Sequence, residues 1–556
     1  MAKKLSLREV AVLIQERLYE YTGGGSVDVG LEPELRKSRE AHQRMVSSCI
    51  RTCCSGKLGA KEVVRELIYE FCRELFPERE DYLELVPFNI PEKMTAWQQL
   101  EAMIFLFDKE KENQGFGRLC EKFKWNENGF NVSKEVVNDA YQKILPQFSE
   151  QEERTILAQI IFAASIGLGK IDTLNQQKGF IEEIQIGMSG RTELQYDYKS
   201  ALYREEDNFS RDGIYIMARG NVFKLSAVSF DSEEEQQRVL RNLIKDSRGG
   251  ELTVNHPMLV VDTVDGRRVS VSRPPATENW VGLIRKFDTV TEVSLEKLYA
   301  GYSDITVLPE LLRQLIRSGR NMAITGEMAS GKTTLFRACL TETRKDLNIR
   351  VIESESFELN IRNFLPQANS MTMRVSENTS AAEVLAFARK TTGQIFAVGE
   401  INSADVAVMA MDLSKIASQL FFSAHYISTE HMIADFTNAK LCAGGYSEET
   451  LAEADAVRCF GFDVHMAAKG GRRYVQYINE ICPSELSHGM LQKTYEIRPI
   501  YVYDEEKEQE RLINSPGKES YEQAKQRLEK AEYLEFVRFF EKQISETVSL
   551  RKETTG

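Results

Sequence analysis

Apolar residues recur at helical spacing over most of the first 148 positions. In "KEVVRELIYEFCRELF", Val63, Val64, Leu67, Ile68, Phe71 and Leu75 fall on one face, which predicts an amphipathic helix. Ser149 followed by Glu152 is a capping-box pattern ahead of the apolar run 155–168. From about 170 to 300 the period shortens to two. There "EEIQIG", "GIYIMA", "MLVVDTV" and "RRVSVS" read as strands, and "EEEQQRVLRNLIKD" as a helix capped by Ser232 and Glu235. The acids Glu233–Glu235 suit the first turn of that helix, where its dipole favours negative charge. Beyond 303, helix and strand alternate. "LPELLRQLIRSG" predicts a helix, "NMAITG" a buried strand, "KTTLFRACLTET" a helix, and "IRVIESES" and "QIFAVGE" further strands. This is the rhythm of a parallel sheet covered by helices. The charged C-terminal stretch carries Ala524, Leu528, Ala531, Leu534, Val537 and Phe540 at helical spacing. It predicts a terminal helix docked on the core, with a partner-binding helix as the alternative.

These shifts divide the 556 residues into four regions. They are a helical region 1–148, a small α+β domain 149–300, an α/β domain 301–490 and a charged helical tail 491–556. A chain of this length exceeds what a single core supports. Hydrophobic content of 42% with 28% charged residues is that of a globular, soluble chain. A net charge of −13 argues against a polyanion partner, and no direct nucleic-acid contact is expected. Nine scattered cysteines form no Cys-x-x-Cys pair and no zinc-spaced cluster, which suits reduced thiols in a cytoplasmic setting. Cys49, Cys53 and Cys54 are expected to pack on one helix. The N-terminal "MAKKLSLREVAVLIQERL" has no uninterrupted apolar core and does not read as a signal peptide. The longest apolar stretch, Ile156 to Leu168, is interrupted by Gln159 and is shorter than the ~20 residues a spanning helix needs.

The chemistry is concentrated in "ITGEMASGKTTLF". Gly326, four intervening residues and Gly331-Lys332-Thr333 complete a phosphate-loop pattern between a strand and a helix. Gly326, Glu327, Met328, Ala329, Ser330, Gly331, Lys332, Thr333 and Thr334 are therefore the candidate binding residues for ATP with Mg²⁺. Backbone N–H groups and a helix N-terminus would face the phosphates. Lys332 would reach the β and γ phosphates and Thr333 would ligate Mg²⁺. Hydrolysis needs a further acid at the end of a neighbouring strand. Glu400, closing "QIFAVGE", is placed to orient or deprotonate the attacking water and to hold Mg²⁺ through water. Glu353, Glu355 and Glu358 sit at and just beyond another strand, where acids of a parallel sheet face the ligand crevice. His425, one of six histidines, follows the apolar run "QLFFSA" and is a candidate γ-phosphate sensor if the fold aligns it with the loop.

Together these stretches resemble the type II/IV secretion ATPases, the traffic ATPases of secretion, Tad-type pilus and conjugation systems. The resemblance runs over about 160–485 through "IGLGKIDTL", "EEIQIG", "DGRRVSVSRPPA", "VGLIRKFD", "GRNMAITGEMASGKTTL", "RVIESESFEL", "ARKTTGQIFAVGEI" and "FSAHY", nearest to the CpaF-like branch. It implies a RecA-like phosphate-loop core preceded by a small α+β, PAS-like cap that lies over the nucleotide. By position it makes Arg268 and Arg285 the cap's phosphate-reaching arginines and Arg320 a basic residue before the loop strand. It assigns the acids 353–358 to the acidic box, Gly399-Glu400 to the second nucleotide motif, and His425 to the histidine box. The chain departs from the pattern in four places, one of them Ser423-Ala424 before His425, where Thr and an apolar residue are usual. "ESESFEL" lacks the usual Asp, so Glu353 and Glu355 both remain candidates for the first acid. Ile401-Asn402-Ser403 stands where an Arg-Gly is usual, and "DLSKIAS" replaces the stretch that normally precedes the histidine box. These departures bear on turnover more than on binding.

The resemblance further implies a homo-oligomeric, hexameric ring working on an inner-membrane platform protein. The chain would then lie in the cytoplasm at the inner face of the membrane, associated through partners. Two competing readings are a nucleotide-binding scaffold with little turnover and a nucleic-acid translocase. The acidic balance, and the lack of a basic segment studded with aromatics, disfavour the translocase.

Overall fold

The computed structural model describes residues 5–23, 33–57, 59–127, 130–188, 213–245, 251–287, 293–344, 346–354, 357–376, 378–470, 472–484 and 494–554. The chain divides into two compact units, Met1–Thr289 and Val290–Gly556.

In the first unit the N-terminal helices and the α+β region share one core. Buried side chains run continuously from Val10 and Ile14 through Val64, Ile68 and Phe162 to Ile184, Ile216 and Val269. The capping box at Ser149 forms, starting the helix Glu150–Ser165. Gln159, the polar interruption in that apolar run, is satisfied where it is buried: its amide donates to Thr173 Oγ1 at 2.7 Å and Glu101 Oε2 at 3.3 Å. Cys49 is buried on the helix Pro33–Thr52, but Cys53 and Cys54 fall in the turn after it, so the three do not share a helix.

The strands of this unit are β1 (Ile181–Ile186), β2 (Ile214–Ala218), β3 (Asn221–Lys224), β4 (Met258–Asp262), β5 (Arg268–Ser272) and β6 (Val281–Arg285). They form an antiparallel sheet in the order β3-β2-β1-β6-β5-β4. Period-two alternation buries Val269, Val271 and Ile284 with Val239, Leu240 and Leu243 of the helix Glu233–Ile244. That helix begins at Ser232, whose hydroxyl accepts from the Glu235 N–H at 3.2 Å.

The second unit holds β7 (Met322–Gly326), β8 (Ile349–Ser354), β9 (Ser370–Val375), β10 (Ile395–Ile401), β11 (Gln419–Ala424), β12 (Phe462–Lys469), β13 (Arg472–Pro483), β14 (Tyr495–Asp504) and β15 (Gln509–Leu512). They make one sheet in the order β15-β14-β13-β12-β7-β11-β10-β8-β9. The run from β12 to β9 is parallel, and β13, β14 and β15 extend it antiparallel. Every residue of β7 and β11 is buried, as expected for central parallel strands covered on both faces. This is the α/β architecture, a parallel sheet flanked by helices, expected from the sequence.

The tail docks on the same core, but as two helices, Lys518–Arg527 and Lys530–Thr554. Glu480, buried on β13, accepts from the Gly517 N–H at 2.6 Å and the Ser520 hydroxyl at 2.5 Å, anchoring the first helix. Ala524 and Phe540 are buried as expected, while the break brings Phe536 onto the buried face and leaves Leu534 43% exposed. Among the described residues, no helix is long and apolar enough to cross a membrane.

Candidate functional site

The loop after β7 is bounded by residues whose backbone the fold constrains closely. Gly326 has φ +136°, and a Cβ there would collide with the Met466 carbonyl of β12, so no other residue fits. Ala329 takes φ +61°, a strained conformation of the kind that collects at ligand-binding loops. The Ser330 hydroxyl donates to the Glu327 carbonyl at 2.8 Å and closes the turn. Gly331 is the N-cap of the helix Lys332–Thr341, in which Thr333 and Thr334 are half-buried at the first turn. Glu327, Met328 and Ala329 are exposed at the rim.

Three predicted residues meet at the carboxyl ends of three adjacent strands, β7, β11 and β10. Lys332 is buried, and its ammonium donates to the carbonyls of Gly326 at 2.8 Å and Glu327 at 2.5 Å. It also lies 3.1 Å from His425 Nδ1. An ammonium can only donate, so Nδ1 accepts and the proton of a neutral His425 sits on Nε2. That Nε2 is 3.0 Å from Glu400 Oε1. The result is a continuous Lys332–His425–Glu400 chain. Glu400 is aimed by a break in the ladder: the β10–β11 register shifts between Val398 and Ile401. The carbonyls this irregularity displaces are recovered by side chains. Ser423 Oγ donates to Gly399 O at 2.5 Å and Ser354 Oγ to Glu400 O at 3.3 Å.

Glu353, on β8, is 2% exposed and accepts from the Leu359 N–H at 2.7 Å. Gly399 is needed beside it, because a Cβ there would strike the Glu353 carboxylate. Burial pushes the Glu353 carboxyl up to about 8, with the Leu359 N–H and Arg337 pulling the other way. Arg337, buried on the helix Lys332–Thr341, donates to the Glu358 carbonyl and faces these acids, and sequence reasoning passed it over. Glu355 lies outside the described residues.

A folded pKa raised above its unfolded value stabilises below the unfolded value, and that stability is lost as pH rises through the folded one. The unfolding free energy is therefore expected to fall by up to about 1.4 kcal/mol per pH unit on this group's account between the ordinary carboxylate range and pH 8. Urea unfolding of wild type and Glu353→Gln from about pH 5 to about pH 8 checks it. The difference between the two should change with that slope; parallel curves would rule it out.

The predicted arginines separate. Arg268 and Arg285 face one another across β5 and β6 in the first unit, flanked by Asp262 opposite Arg268 and Glu183 opposite Arg285. The four form a charged row, in which the outer acids offset the repulsion between like charges on neighbouring strands. Lys286, next in the "LIRKF" stretch, is buried and donates to the Leu174 and Gln177 carbonyls at 3.0 and 2.6 Å, capping a short helix. Arg320 is not brought to the loop. It precedes β7, at the opposite end of the strand from Gly326, and pairs with Glu519 of the tail at 3.0 Å. Position before the loop strand in sequence is a full strand length away in space.

The sequence reading also missed a polar group directly beside the loop. Thr325 Oγ1 donates to Asp463 Oδ1 at 2.6 Å and lies 2.9 Å from His465 Nδ1. Its single proton goes to the carboxylate, so Nδ1 of His465 is the donor there. Thr429 Oγ1 donates to Asp463 Oδ2 at 2.6 Å and accepts from Asn479 Nδ2 at 3.0 Å. The His465 ring stacks on Tyr477 at 4.5 Å between centroids. Burial, helped by the Lys332 charge, lowers His465 to about 4 and keeps it neutral; burial raises Asp463 to about 6. On β13, Arg473 places its stem against Gly331, with Cδ 3.2 Å from where a Cβ would stand. The only signal for β12 was its alternation, "FDVHMAAK", with polar residues spaced two apart on one face.

A Mg-nucleotide suits this donor set. A glycine-bounded loop, an ammonium, a hydroxyl at a helix N-terminus and strand-end carboxylates are hard-oxygen and phosphate-binding chemistry. Among the described residues, no group of three or more His, Cys, Asp or Glu could hold a metal by itself.

No protein-family model matches the chain. No curated protein matches it in sequence. Solved structures do. The VirB11 ATPase of the Brucella suis type IV secretion system, in complex with sulphate, is 18% identical; the match covers 54% of this chain and 89% of that one, with a TM-score of 0.28. The Legionella pneumophila ATPase DotB is 13% identical over 61% of this chain and 80% of its own, with a TM-score of 0.36. The pilus retraction motor PilT with bound ADP is 12% identical over 66% and 90%, with a TM-score of 0.36.

Proposed function

We propose that the chain is an ATPase motor of the secretion and pilus kind, hydrolysing ATP with Mg²⁺. The observation that carries this reading is the Lys332–His425–Glu400 chain beside a strained glycine-bounded loop. In this reading the loop N–H groups and Lys332 bind the phosphates, and bound Mg²⁺ supplies charge neutralisation there. Glu400 takes the proton of the attacking water. His425 reports on Lys332: once the ammonium turns to a phosphate, Nδ1 loses its donor and the imidazole is free to reorient. The charged row with Arg268 and Arg285 offers the cationic contact of a cap that closes on the nucleotide, converting hydrolysis into domain motion. Six copies in a ring, acting on a membrane platform at the inner face of the cytoplasmic membrane, complete the proposal.

A scaffold with little turnover is the second reading. It is favoured by one observation: the position after Glu400 that usually holds an arginine belongs here to Ile401-Asn402-Ser403, with Ser403 spent as the N-cap of the helix Ala404–Ser414. Steady-state phosphate release by the full chain separates the two. Release that needs Mg²⁺, with light scattering that shows assembly in ATP, is expected. Tight nucleotide binding with no release above background leaves the scaffold.

A further inference from the structure

Beyond the direct β7–β11 ladder, which sets Ala424 opposite Thr325, a buried carboxylate also joins the phosphate loop to the His425 segment. Thr325 is the residue before Gly326, and Thr429 lies four residues after His425 at the start of the helix Thr429–Cys442. Asp463, fully buried on the neighbouring strand β12, takes one hydroxyl from each: Oδ1 from Thr325 at 2.6 Å and Oδ2 from Thr429 at 2.6 Å. Asn479 on β13 donates to Thr429 Oγ1 and His465 to Thr325 Oγ1, so both hydroxyl protons are directed onto Asp463.

A buried carboxylate is costly, and well-packed apolar residues could hold these strands together at least as firmly. Apolar contacts, however, allow sliding, whereas two short directional bonds to one rigid group fix a separation. Lys332, six residues beyond Gly326, and His425 lie just past the bridged strand ends and meet at 3.1 Å.

We propose that Asp463 is a positioning residue: through Thr325 and Thr429 it holds the phosphate loop and the His425 segment in register, so that Lys332 and His425 can exchange partners when phosphate binds. This rests on the ATPase reading above and adds a part to it that no loop motif contains. Asp463, Thr325 and Thr429 are all buried, so the bridge would act through geometry.

The test uses the full chain with Thr429→Val, which keeps the shape and removes the hydroxyl, and Thr429→Ser, which restores it. Thr429→Val is expected to lower kcat for ATP hydrolysis about tenfold with KM within about twofold, because small misplacements cost turnover before binding. Thr429→Ser should return kcat to within about twofold of wild type. Asn479→Ala, which leaves Asp463 paired, should show the same pattern at smaller amplitude. Amide hydrogen exchange reads the bridge without any activity: in Thr429→Val, exchange should rise in both 326–331 and 425–428. Unchanged kcat, a loss that serine does not rescue, or faster exchange confined to 429–442 would each overturn the inference. Should wild type release no phosphate, the ATPase reading fails by itself, and the paired rise in exchange still decides whether the bridge exists.

Discussion

Replacing Lys332 with alanine is expected to reduce phosphate release at least about 100-fold and to weaken nucleotide binding together with it. The side chain is the one cation held inside the loop, donating to Gly326 and Glu327 carbonyls and to His425. A preorganised donor aimed at developing negative charge contributes about 10²–10³ in rate. Because the same ammonium would touch the phosphates before and during reaction, both KM and kcat should suffer. The loop itself should survive, since Gly326 and Gly331 set its backbone rather than Lys332. Thermal melting within a few degrees of wild type, with a fluorescent ATP analogue no longer retained, is the expected pair of results. A variant that binds the analogue as wild type does would place the phosphates elsewhere.

Much of this site was legible in the sequence because its elements are strongly periodic. β7, β10 and β11 are largely apolar and β8 is buried along most of its length, and each carries or leads into a residue of the site at its carboxyl end. Glu400 and His425 could be placed beside Lys332 because acids and histidines at parallel strand ends face one crevice. Arg320 could not, because a residue before a strand and one after it look equally near in sequence. The tail is similar: one helical period runs from Ala524 through Leu534 to Phe540, but the chain breaks between Arg527 and Lys530, so Phe536 joins Phe540 on the buried face and Leu534 is left exposed.

Asp463 and His465 were hidden for a different reason. A polar residue on a buried strand has no motif; it becomes meaningful only when the register shows who stands beside it. Parallel pairing sets His465 opposite Thr325 and Asp463 opposite Ala323, a pairing fixed by strand order that no local pattern encodes. Lys286 was obscured in a related way. It stands beside Arg285 in a basic stretch, yet its ammonium is buried on helix carbonyls while Arg285 stays on the charged face.

Glu400→Gln separates binding from chemistry. Glutamine keeps the length of the side chain, and its carbonyl oxygen can still accept from His425 Nε2, the contact seen at 3.0 Å. The Lys332–His425 contact and the loop should therefore stand unchanged. What is lost is the capacity to take a proton, and a positioned base contributes about 10²–10⁴ in rate. Phosphate release is expected to fall by that factor, with affinity for the ATP analogue within about threefold of wild type. The contrast with Lys332→Ala is the decisive part. One variant should lose nucleotide and turnover together, and the other should hold nucleotide without turning it over. If Glu400→Gln releases phosphate within a few-fold of wild type, the base is another group. Glu353 would then be the next to test, since its carboxyl stands beside Gly399, immediately before Glu400, and burial has brought it close to neutral pH. Its pH–rate profile would show the difference: a base held near 8 gives a rate that climbs through that pH, whereas loss of Glu353 as a structural acid would leave the profile's shape intact.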